Sequence, residues 1–394
     1  MVVWIQNPFD NLPLEGYRKQ RYWLMCEAFV RAGHQVVFWT SDFSHANKRR
    51  RALNQDANLR ESSGIDVRLI PTPPYSKNVS YKRIASHRAY AWAWIRMVRS
   101  LPGFPNIANA PNLIVTSTPT LSAAIAALGL GRLFGAKVVV DVMDAWPETF
   151  ERLAPKGFRW LAHLLLTPWR IDARLMIYRK ADLVTGVCKR YRELTGPEDY
   201  YLAYHGIELN NREQGTGNGE RGRFAGSTRR IRLVYAGNLG KTYDLATVVK
   251  AVEANGDFEL DVAGFGEFSS ACPRVRFHGL LSASDLQALL GQCDIGIVPM
   301  KADSWVGIPY KFCDYSQAGL AIVSSLGGES SALLETYRCG VSYDAGDVES
   351  LAAAIRKAMA LDRGASRTMC AAEFDAARIY DAYVERVSST RPGS

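Results

Sequence analysis

The sequence lacks several features that define other classes of protein. Its seven cysteines are scattered, and no two have the close spacing of a zinc knuckle or a redox dithiol. Because their number is odd, a complete disulfide framework is excluded and reduced thiols are expected. No run of about 18 uninterrupted apolar residues is present, so no spanning helix is predicted. The N-terminus lacks a basic start followed by a long apolar run, and we therefore expect no signal peptide and a cytoplasmic location.

Length, composition and charge set broad limits on the class. With 394 residues, the chain is too long for one ordinary domain and fits two. The hydrophobic fraction of 47% and the charged fraction of 22% are normal for a globular protein with a substantial core. A formal net charge of +9 indicates an anionic partner, such as anionic lipid, nucleic acid or a phosphorylated substrate. Because no helix-turn-helix, zinc-finger or RNA-binding signature is found, nucleic acid is not expected.

Strand-like and helix-like segments alternate in both halves of the chain. The first half opens with a strand over 2–5 and a helix over 21–32, and the second half restarts with a strand over 231–236. This alternation predicts an α/β fold of two Rossmann-like domains that face each other across a cleft. The predicted segments are a first domain over 1–205, a linker over 206–230, a second domain over 231–372 and, within a tail helical over 371–387, a C-terminal helix over 373–394 that crosses back to the first domain.

Two glycine-rich turns follow strands of the second half. In YAGNLGKTYDL, residues 235–245, Gly237 and Gly240 permit close approach of the backbone to a ligand. The helix start that follows favours phosphate, and Lys241 adds a mobile positive charge. In VAGFGEF, residues 262–268, Gly264 and Gly266 resemble half a dinucleotide fingerprint, but the third glycine is missing, so we reject an NAD site. Taken alone, each turn is also compatible with an ordinary tight turn.

A third segment, over 298–325, ends a strand and begins a helix at IPYK. Tyr310 and Asp314 are four residues apart, and Lys311 and Asp314 are three apart, so these side chains share one helical face. A cation and an acid near a helix start suit a ligand that carries both phosphate and hydroxyl groups. The alternative is a Lys311–Asp314 ion pair on a solvated surface. The glycine-framed, strand-flanked setting favours binding.

In serial order, these three motifs resemble the C-terminal half of the family 4 glycosyltransferases. The passage between them, FHGLLSASDLQALLGQCDIGIVPM, is very similar to that family's route from a "FxG" turn through a helix to an "aDIxxxP" strand. The first half resembles the family more loosely, through LPLEGYRKQRYWLMCEAFVRAGHQVVFWTS. In addition, DVMDAWPETF resembles the "RDLWPE" segment of relatives that build bacterial surface polysaccharides. The resemblance implies the GT-B fold and a retaining, metal-independent glycosyltransferase that uses a nucleotide-diphosphate sugar and no separate cofactor.

The resemblance also implies roles for single residues. Lys241 and Lys311 would stabilise the leaving diphosphate, and Asp144 would lie near the acceptor hydroxyl; the alternative for Asp144 is a structural cap of the following turn. The residues assigned to the donor are Gly16, Gly237, Asn238, Gly240, Gly264, Gly266, His278, Tyr310 and Asp314. The residues assigned to the acceptor are Tyr17, Arg18 and Glu148, with Asp144 and Glu148 facing the sugar or the acceptor. The expected acceptor is a lipid-linked glycan of bacterial exopolysaccharide, capsule or O-antigen synthesis.

The chain departs from the family pattern at three positions. Relatives carry a glutamate where this chain has Val306, a phosphate-binding arginine where it has Asn238, and a frequent active-site histidine where it has Met143. These departures leave open a basic binding protein with a degenerate site. A sugar-nucleotide 2-epimerase of the same fold is the other alternative, since it binds the same donor without an acceptor.

Two segments combine basic and aromatic residues in the way that membrane-surface helices do. The first covers 81–101, near the four cations of 48–51, and the second covers 158–178. For the first segment we expect peripheral contact with an anionic membrane, at the inner face of the plasma membrane. For the second segment we expect a core helix whose arginines extend to solvent.

Overall fold

The computed structural model describes residues 1–51, 59–60, 64–78, 80–196, 199–209, 230–240, 242–302 and 304–389. Lys241 and most of the predicted linker lie outside the described residues. The chain divides into two compact units, one formed by Met1–Gly206 with Ala377–Ser394 and the other by Ile207–Ala376. All seven cysteines are buried, and none of them forms a disulfide bond.

The first unit is built on an eight-stranded sheet. Its strands, with one separate hairpin, are Val2–Gln6 (β1), Gln35–Ser41 (β2), Phe43–Ser44 (β3), Arg49–Arg50 (β4), Leu59–Arg60 (β5), Ile65–Ile70 (β6), Leu113–Thr118 (β7), Lys137–Val142 (β8), Leu183–Gly186 (β9) and Tyr200–Leu202 (β10). The order in the sheet is β10-β9-β8-β7-β1-β2-β6-β5, parallel throughout except for β5. Every residue of β7 is buried, as expected of a parallel strand covered on both faces. The hairpin pairs β3 with β4.

Helices lie between these strands. They are Arg21–Arg31 (α1), Tyr81–Arg99 (α2), Leu121–Phe134 (α3), Glu148–Leu153 (α4), Arg159–Met176 (α5) and Tyr191–Thr195 (α6), with short 3-10 turns at Pro13–Glu15, Lys156–Phe158 and Tyr178–Lys180. A buried ion pair joins α1 to β8, because Arg21 donates two hydrogen bonds of 2.8 Å to Asp141. Tyr22 and Thr185 donate further hydrogen bonds to Asp141. This full set of partners offsets the cost of burying both charges.

The second unit contains a six-stranded parallel sheet. Its strands are Ile231–Ala236 (β11), Phe258–Ala263 (β12), Val275–Gly279 (β13), Ile295–Val298 (β14), Ala321–Ser324 (β15) and Gly340–Ser342 (β16), in the order β13-β12-β11-β14-β15-β16. Its helices are Leu245–Ala254 (α7), Ala283–Gln292 (α8), Tyr310–Ala318 (α9), Glu329–Tyr337 (α10), Val348–Ala358 (α11) and Arg363–Glu373 (α12). One core lies between the sheet, α7 and α11, formed by alternate residues of the strands such as Leu233 and Leu260.

The chain ends in helix Ala376–Ser389 (α13), which packs against the first unit. The hydroxyl of Tyr380 accepts a hydrogen bond of 3.0 Å from the amide of Gly206. Asp381 forms an ion pair of 2.6 Å with Arg31. The C-terminal segment of the chain is therefore part of the unit in which the chain begins.

The prediction of one helix over 371–387 is wrong, because the helical conformation is interrupted between α12 and α13. At this point the backbone pairs with Ile207 instead of continuing a helix. The amide of Ile207 donates to the carbonyl of Phe374 at 2.9 Å, and the amide of Ala376 donates to the carbonyl of Ile207 at 3.0 Å. A local pattern of helical residues carries no signal of a partner that is distant in sequence.

Candidate functional site

The second unit has the strand order of a doubly wound sheet, with β11 and β14 adjacent at its centre. Chain connections leave these two strands in opposite directions, and ligands of such sheets bind in the crevice beyond the carboxyl ends at this switch point. Gly237 follows β11, and the loop after β14 leads to α9, which begins with Tyr310 and Lys311. The fold thus brings the first and third sequence motifs to one edge of the sheet.

Glycine is required at Gly264 and Gly266 because the turn after β12 packs closely against the turn after β11. Gly264 has a φ of +142°, and a Cβ added there would lie 1.8 Å from the carbonyl oxygen of Gly237. Gly266 has a φ of +152°, and its Cβ would lie 2.6 Å from the Cβ of Leu239. A side chain at either position would separate the two turns. The sequence thereby specifies an edge where main chain is accessible to a ligand.

Lys311 has an unusual environment for a lysine. Its side chain is buried, and its Nζ lies 4.0 Å from the ring centroid of Tyr243 and 4.7 Å from that of Tyr235. A Cβ on Gly237 would lie 3.1 Å from this nitrogen. Burial lowers the pKa of Lys311 to about 7, against a smaller opposing effect of Asp314. Among the described residues no acidic group forms a close ion pair with this ammonium, which is oriented toward the glycine turn.

Other predicted donor residues lie near the same edge. Asn238 and Gly240 belong to the turn after β11, and a Cβ on Gly240 would lie 2.8 Å from the Oδ1 of Asn238. Tyr310 and Asp314 lie on α9, and Asp314 is buried. The hydroxyl of Tyr315 accepts a hydrogen bond of 2.8 Å from the amide of Ala236, which fixes α9 against the end of β11. Nothing in the fold tests their roles, which stay predictions.

His278 lies on β13, where its Nε2 is 2.6 Å from the Oδ1 of Asp261. Arg232 and Arg276 also donate to this buried carboxylate, at 2.6 Å and 2.9 Å. Burial alone would raise the pKa of Asp261, but these hydrogen bonds outweigh it and lower the pKa below its ordinary value. The contact with Asp261 therefore fixes the imidazole of His278 against the neighbouring strand β12. Gly279 is the last residue of β13. Contact of His278 with a nucleotide base stays a prediction.

In the first unit, the predicted sugar loop follows the 3-10 turn at Pro13–Glu15. Gly16 ends this turn with a φ of +79°, and a Cβ added there would meet no atom within 4 Å. Tyr17 is half-buried, and its hydroxyl accepts a hydrogen bond from Asn47. Arg18 is exposed. The loop is accessible, and its assignment to substrate stays a prediction.

Asp144 and Glu148 follow β8. The carboxylate of Asp144 accepts hydrogen bonds from the Nε1 of Trp146 at 3.1 Å and the Oγ1 of Thr149 at 3.3 Å. Burial raises the pKa of Asp144. Glu148 begins α4 and lies 3.7 Å from the Nε of Arg170, and burial raises its pKa too. Asp144 thus has the local bonds of a structural anchor, and both predicted roles for it remain open.

A further group of residues, which sequence reasoning missed, lies beside Asp144. Four bases and three aromatic rings converge there, and we name them the cation–aromatic cluster: His45, Lys48, Arg83, His87, Phe9, Tyr75 and Trp146. Arg83 lies 4.6 Å from the ring centroid of Trp146 and 5.5 Å from that of Phe9. His87 stacks on Trp146 at 5.5 Å. These residues come from five separate segments of the chain, so no local motif indicates them.

The prediction for the segment 158–178 is wrong. Helix α5 is not a core helix, since Ala173 is its one buried residue among the side chains that the structure describes. Trp160 and Leu165 are each 69% exposed, and Leu164 is 62% exposed. In α2, by contrast, Tyr90 and Trp94 are buried. No helix in the described part of the chain has the length and apolar character needed to cross a bilayer.

Within the described ranges, no three His, Cys, Asp or Glu side chains form a group that could bind a metal ion. Metal-independent transfer stays a prediction.

Two families of glycosyltransferase domain match the chain. The protein is a glycosyltransferase of two Rossmann-like domains, which confirms the predicted α/β fold. Residues 19–196 match the glycosyl transferase 4-like domain, and residues 230–360 match the glycosyl transferases group 1 domain. The second match contains the glycine turns and Lys311, and the first contains Asp144 and the cation–aromatic cluster except for Phe9. No curated protein sequence matches the chain.

Solved structures share the fold over nearly the whole chain. Sucrose-phosphate synthase from Thermosynechococcus elongatus is 13% identical, with 98% of each chain covered and a TM-score of 0.72. HepE from Anabaena, in complex with UDP-glucose, is 14% identical, with 99% of this chain and all of that chain covered and a TM-score of 0.64. WaaG, a glycosyltransferase involved in lipopolysaccharide biosynthesis, is 12% identical, with the same coverage and TM-score. At these identities the likeness shows the GT-B fold.

Proposed function

We propose that the protein is a retaining family 4 glycosyltransferase of bacterial surface-polysaccharide synthesis. It transfers a sugar from a nucleotide-diphosphate sugar to a lipid-linked glycan acceptor without a metal. The observation that carries the donor side is Lys311, a buried ammonium that lies beside Gly237 at the switch point of the second unit. The structure of HepE holds UDP-glucose, which supports a donor of this class.

The proposed mechanism places positive charge where the leaving diphosphate develops negative charge. The ammonium of Lys311 and the amides of the turn after β11 supply this stabilisation, with Lys241 as a further cation. Burial removes water from the ammonium of Lys311 and so lowers its pKa. A bound diphosphate is an opposite charge beside this ammonium, so binding raises the pKa of Lys311 and keeps it charged. Asp314 lies one helical turn further along α9, where it can accept hydrogen bonds from ribose hydroxyls.

A thermal-shift screen with UDP-, GDP- and ADP-sugars tests the donor site. The correct donor raises the melting temperature as its concentration exceeds the dissociation constant. Lys311→Met should weaken donor binding by about a hundredfold, the worth of a strong charge-assisted contact. Lys250→Met, an exposed lysine on α7, is the matched control and should bind as the wild type does.

Three results contradict the proposal in different ways. No shift with any nucleotide sugar would favour a non-catalytic binding protein. An equal shift in Lys311→Met would remove the phosphate role of Lys311. Conversion of the donor sugar in the absence of acceptor, measured by NMR, would favour the 2-epimerase.

We further propose that α5 attaches the enzyme to an anionic membrane, at the inner face of the plasma membrane. Its apolar stripe follows helical spacing, since Trp160 and Leu164 lie one turn apart and are 69% and 62% exposed. The helix carries three arginines and one aspartate, and Arg179 and Lys180 follow it. An exposed apolar stripe with basic flanks suits a bilayer of anionic lipid, and the net charge of +9 adds attraction. Such attachment gives access to a lipid-linked acceptor.

Two tryptophans of nearly equal exposure provide a matched test of this surface. Trp160 on α5 is 69% exposed and Trp92 on α2 is 67% exposed. Trp160→Ser should weaken cosedimentation with phosphatidylglycerol vesicles about tenfold, because an aromatic side chain loses its burial in the bilayer. Trp92→Ser should leave binding unchanged. A larger loss in Trp92→Ser would return the contact to α2, and equal binding by both variants and wild type would exclude α5.

A further inference from the structure

The cation–aromatic cluster contains more positive charge than its surroundings neutralise. Lys48 lies on the hairpin loop between β3 and β4, and its Nζ is 3.2 Å from the Nδ1 of His45. Arg83 and His87 are one turn apart at the start of α2, and the Nε of Arg83 is 3.4 Å from the Nε2 of His87. Within the described residues, neither Lys48 nor Arg83 forms an ion pair with a carboxylate. The hairpin and the helix therefore present four bases beside the rings of Phe9 and Tyr75, with the Nζ of Lys48 5.0 Å from the ring centroid of Tyr75.

Burial and the nearby cations lower the pKa values of the bases in this cluster. Burial, together with the charges of Arg83 and Lys48, lowers the pKa of His45 to about 3. Burial and Arg83 lower the pKa of His87 to about 3 as well, and burial lowers the pKa of Lys48 to about 8. Both histidines are thus neutral at pH 7, while Lys48 and Arg83 are charged. The two remaining positive charges repel each other, so an anion bound between them would stabilise the cluster.

The position of the cluster at the start of α2 also favours binding of an anion. Helix α2 has no acidic residue in its first turn, so the positive end of its dipole adds to the charge of Arg83. A small recess adjoins the cluster at the carboxyl ends of β1, β2 and β6; Phe9, Tyr75 and His87 line it, whereas Lys48 and Arg83 lie outside it. The carboxylate of Asp144 accepts a hydrogen bond from the Nε1 of Trp146, and it lies close enough to Arg83 for each group to affect the pKa of the other.

We propose that the cation–aromatic cluster binds a phosphate group of the acceptor. Its donors come from the hairpin on one side and from α2 on the other. A tetrahedral phosphate accepts from several directions at once, whereas a carboxylate offers two oxygens in one plane. In a lipid-linked acceptor this group is the diphosphate that joins glycan to lipid, and in a soluble acceptor it is a phosphate ester. The assignment to the acceptor rests on the proposed transfer reaction.

Calorimetric titration of the full chain tests the site. Lys311→Met serves as the background, so that diphosphate binding at the second unit does not contribute. The probes are inorganic phosphate, pyrophosphate, farnesyl diphosphate and acetate. Adding Arg83→Gln or Lys48→Met should weaken phosphate binding about tenfold or more, the worth of one charge-assisted hydrogen bond. The matched controls are Arg88→Gln and Lys82→Met, two exposed cations of α2.

A second measurement separates binding from structure. Because the positive charges of Lys48 and Arg83 repel each other, removal of either should leave the melting temperature of the free protein equal or higher. Unchanged phosphate binding combined with a lower melting temperature would indicate a structural role and overturn the proposal. Binding of acetate as tight as that of phosphate would also overturn it. Tighter binding of farnesyl diphosphate than of pyrophosphate supports a lipid-linked source, and equal binding of the two supports a soluble one.

The two proposals fail in distinguishable ways. If the wild type binds a nucleotide sugar but the cluster binds no phosphate, the inference is wrong and the proposed transfer stands. If the cluster binds phosphate but no nucleotide sugar shifts the melting temperature, the transfer reaction is wrong.

Discussion

The two units share one strand order but equip their switch points differently. In each sheet the first strand of the unit lies at the centre, with the next two parallel strands on one side and the later ones on the other. The second unit exposes main chain at this point, through glycine turns that exclude side chains. The first unit fills the corresponding region with side chains, four of them bases. The same topology therefore supports two kinds of anion recognition.

The comparison has one common element, a cation enclosed by aromatic rings. Lys311 lies near Tyr235 and Tyr243, and Arg83 lies between Phe9 and Trp146. In both cases the rings replace water around the cation without neutralising it. The second unit adds amides to one such cation, whereas the first unit adds further bases.

Alanine substitution of one glycine in each unit should lower the free energy of unfolding by clearly different amounts. Gly264→Ala should lower the free energy of unfolding by about 3 kcal/mol, because its Cβ would overlap the carbonyl of Gly237 and its φ is unfavourable. Gly16→Ala should cost only about 1 kcal/mol, since its φ is also positive but its Cβ meets no atom. Urea unfolding measures both. Equal costs would mean that the packing of the two turns is not what requires glycine in the second unit.

A smaller effect is expected in the pH dependence of the free energy of unfolding, because Lys311 is buried in the second unit. An unfolded lysine keeps its ordinary pKa of 10.5, while burial lowers that of Lys311 to about 7. Below pH 7 both states are protonated, and between the two values the unfolded state binds more protons. The contribution of Lys311 to the free energy of unfolding should therefore rise with pH in this window, by at most about 1.4 kcal/mol per unit.

Thermal unfolding at pH 7 and pH 8, compared between wild type and Lys311→Met, measures this rise. Donor affinity should change in the opposite direction, because the diphosphate needs the charged ammonium. A variant that keeps the wild-type pH dependence of stability would contradict the burial of Lys311. Lys250→Met should behave as the wild type in both measurements.

Sequence alone specified the second unit well, because its signals are local. The strand 231–236 and the helices 245–254 and 310–318 match the structure to the residue. A glycine between a strand and a helix, or a lysine at a helix start, is visible within ten residues of sequence. These signals led to the glycine turns and Lys311, although Lys241 lies outside the described residues.

The first unit was less predictable, because its site is assembled from distant segments. Arg83 and Lys48 each occur in a basic stretch that equally suits a membrane surface, and only the fold brings them together beside Phe9 and Tyr75. The exposure of α5 was missed for a related reason. An apolar helical stripe is the same in sequence whether it packs on a sheet or faces solvent, so Trp160 carried no sign of its environment.

The pairing of Ile207 with the chain at 374–376 makes the second unit an insertion within the first. During synthesis, the ribosome therefore completes every strand of both sheets before Tyr380 emerges to meet Gly206. The unit that begins first is finished last, and until α13 is released Arg21 and its neighbours lack their final cover. The surface around Arg21 must therefore stay free of contacts with other molecules until almost the whole chain has been synthesised.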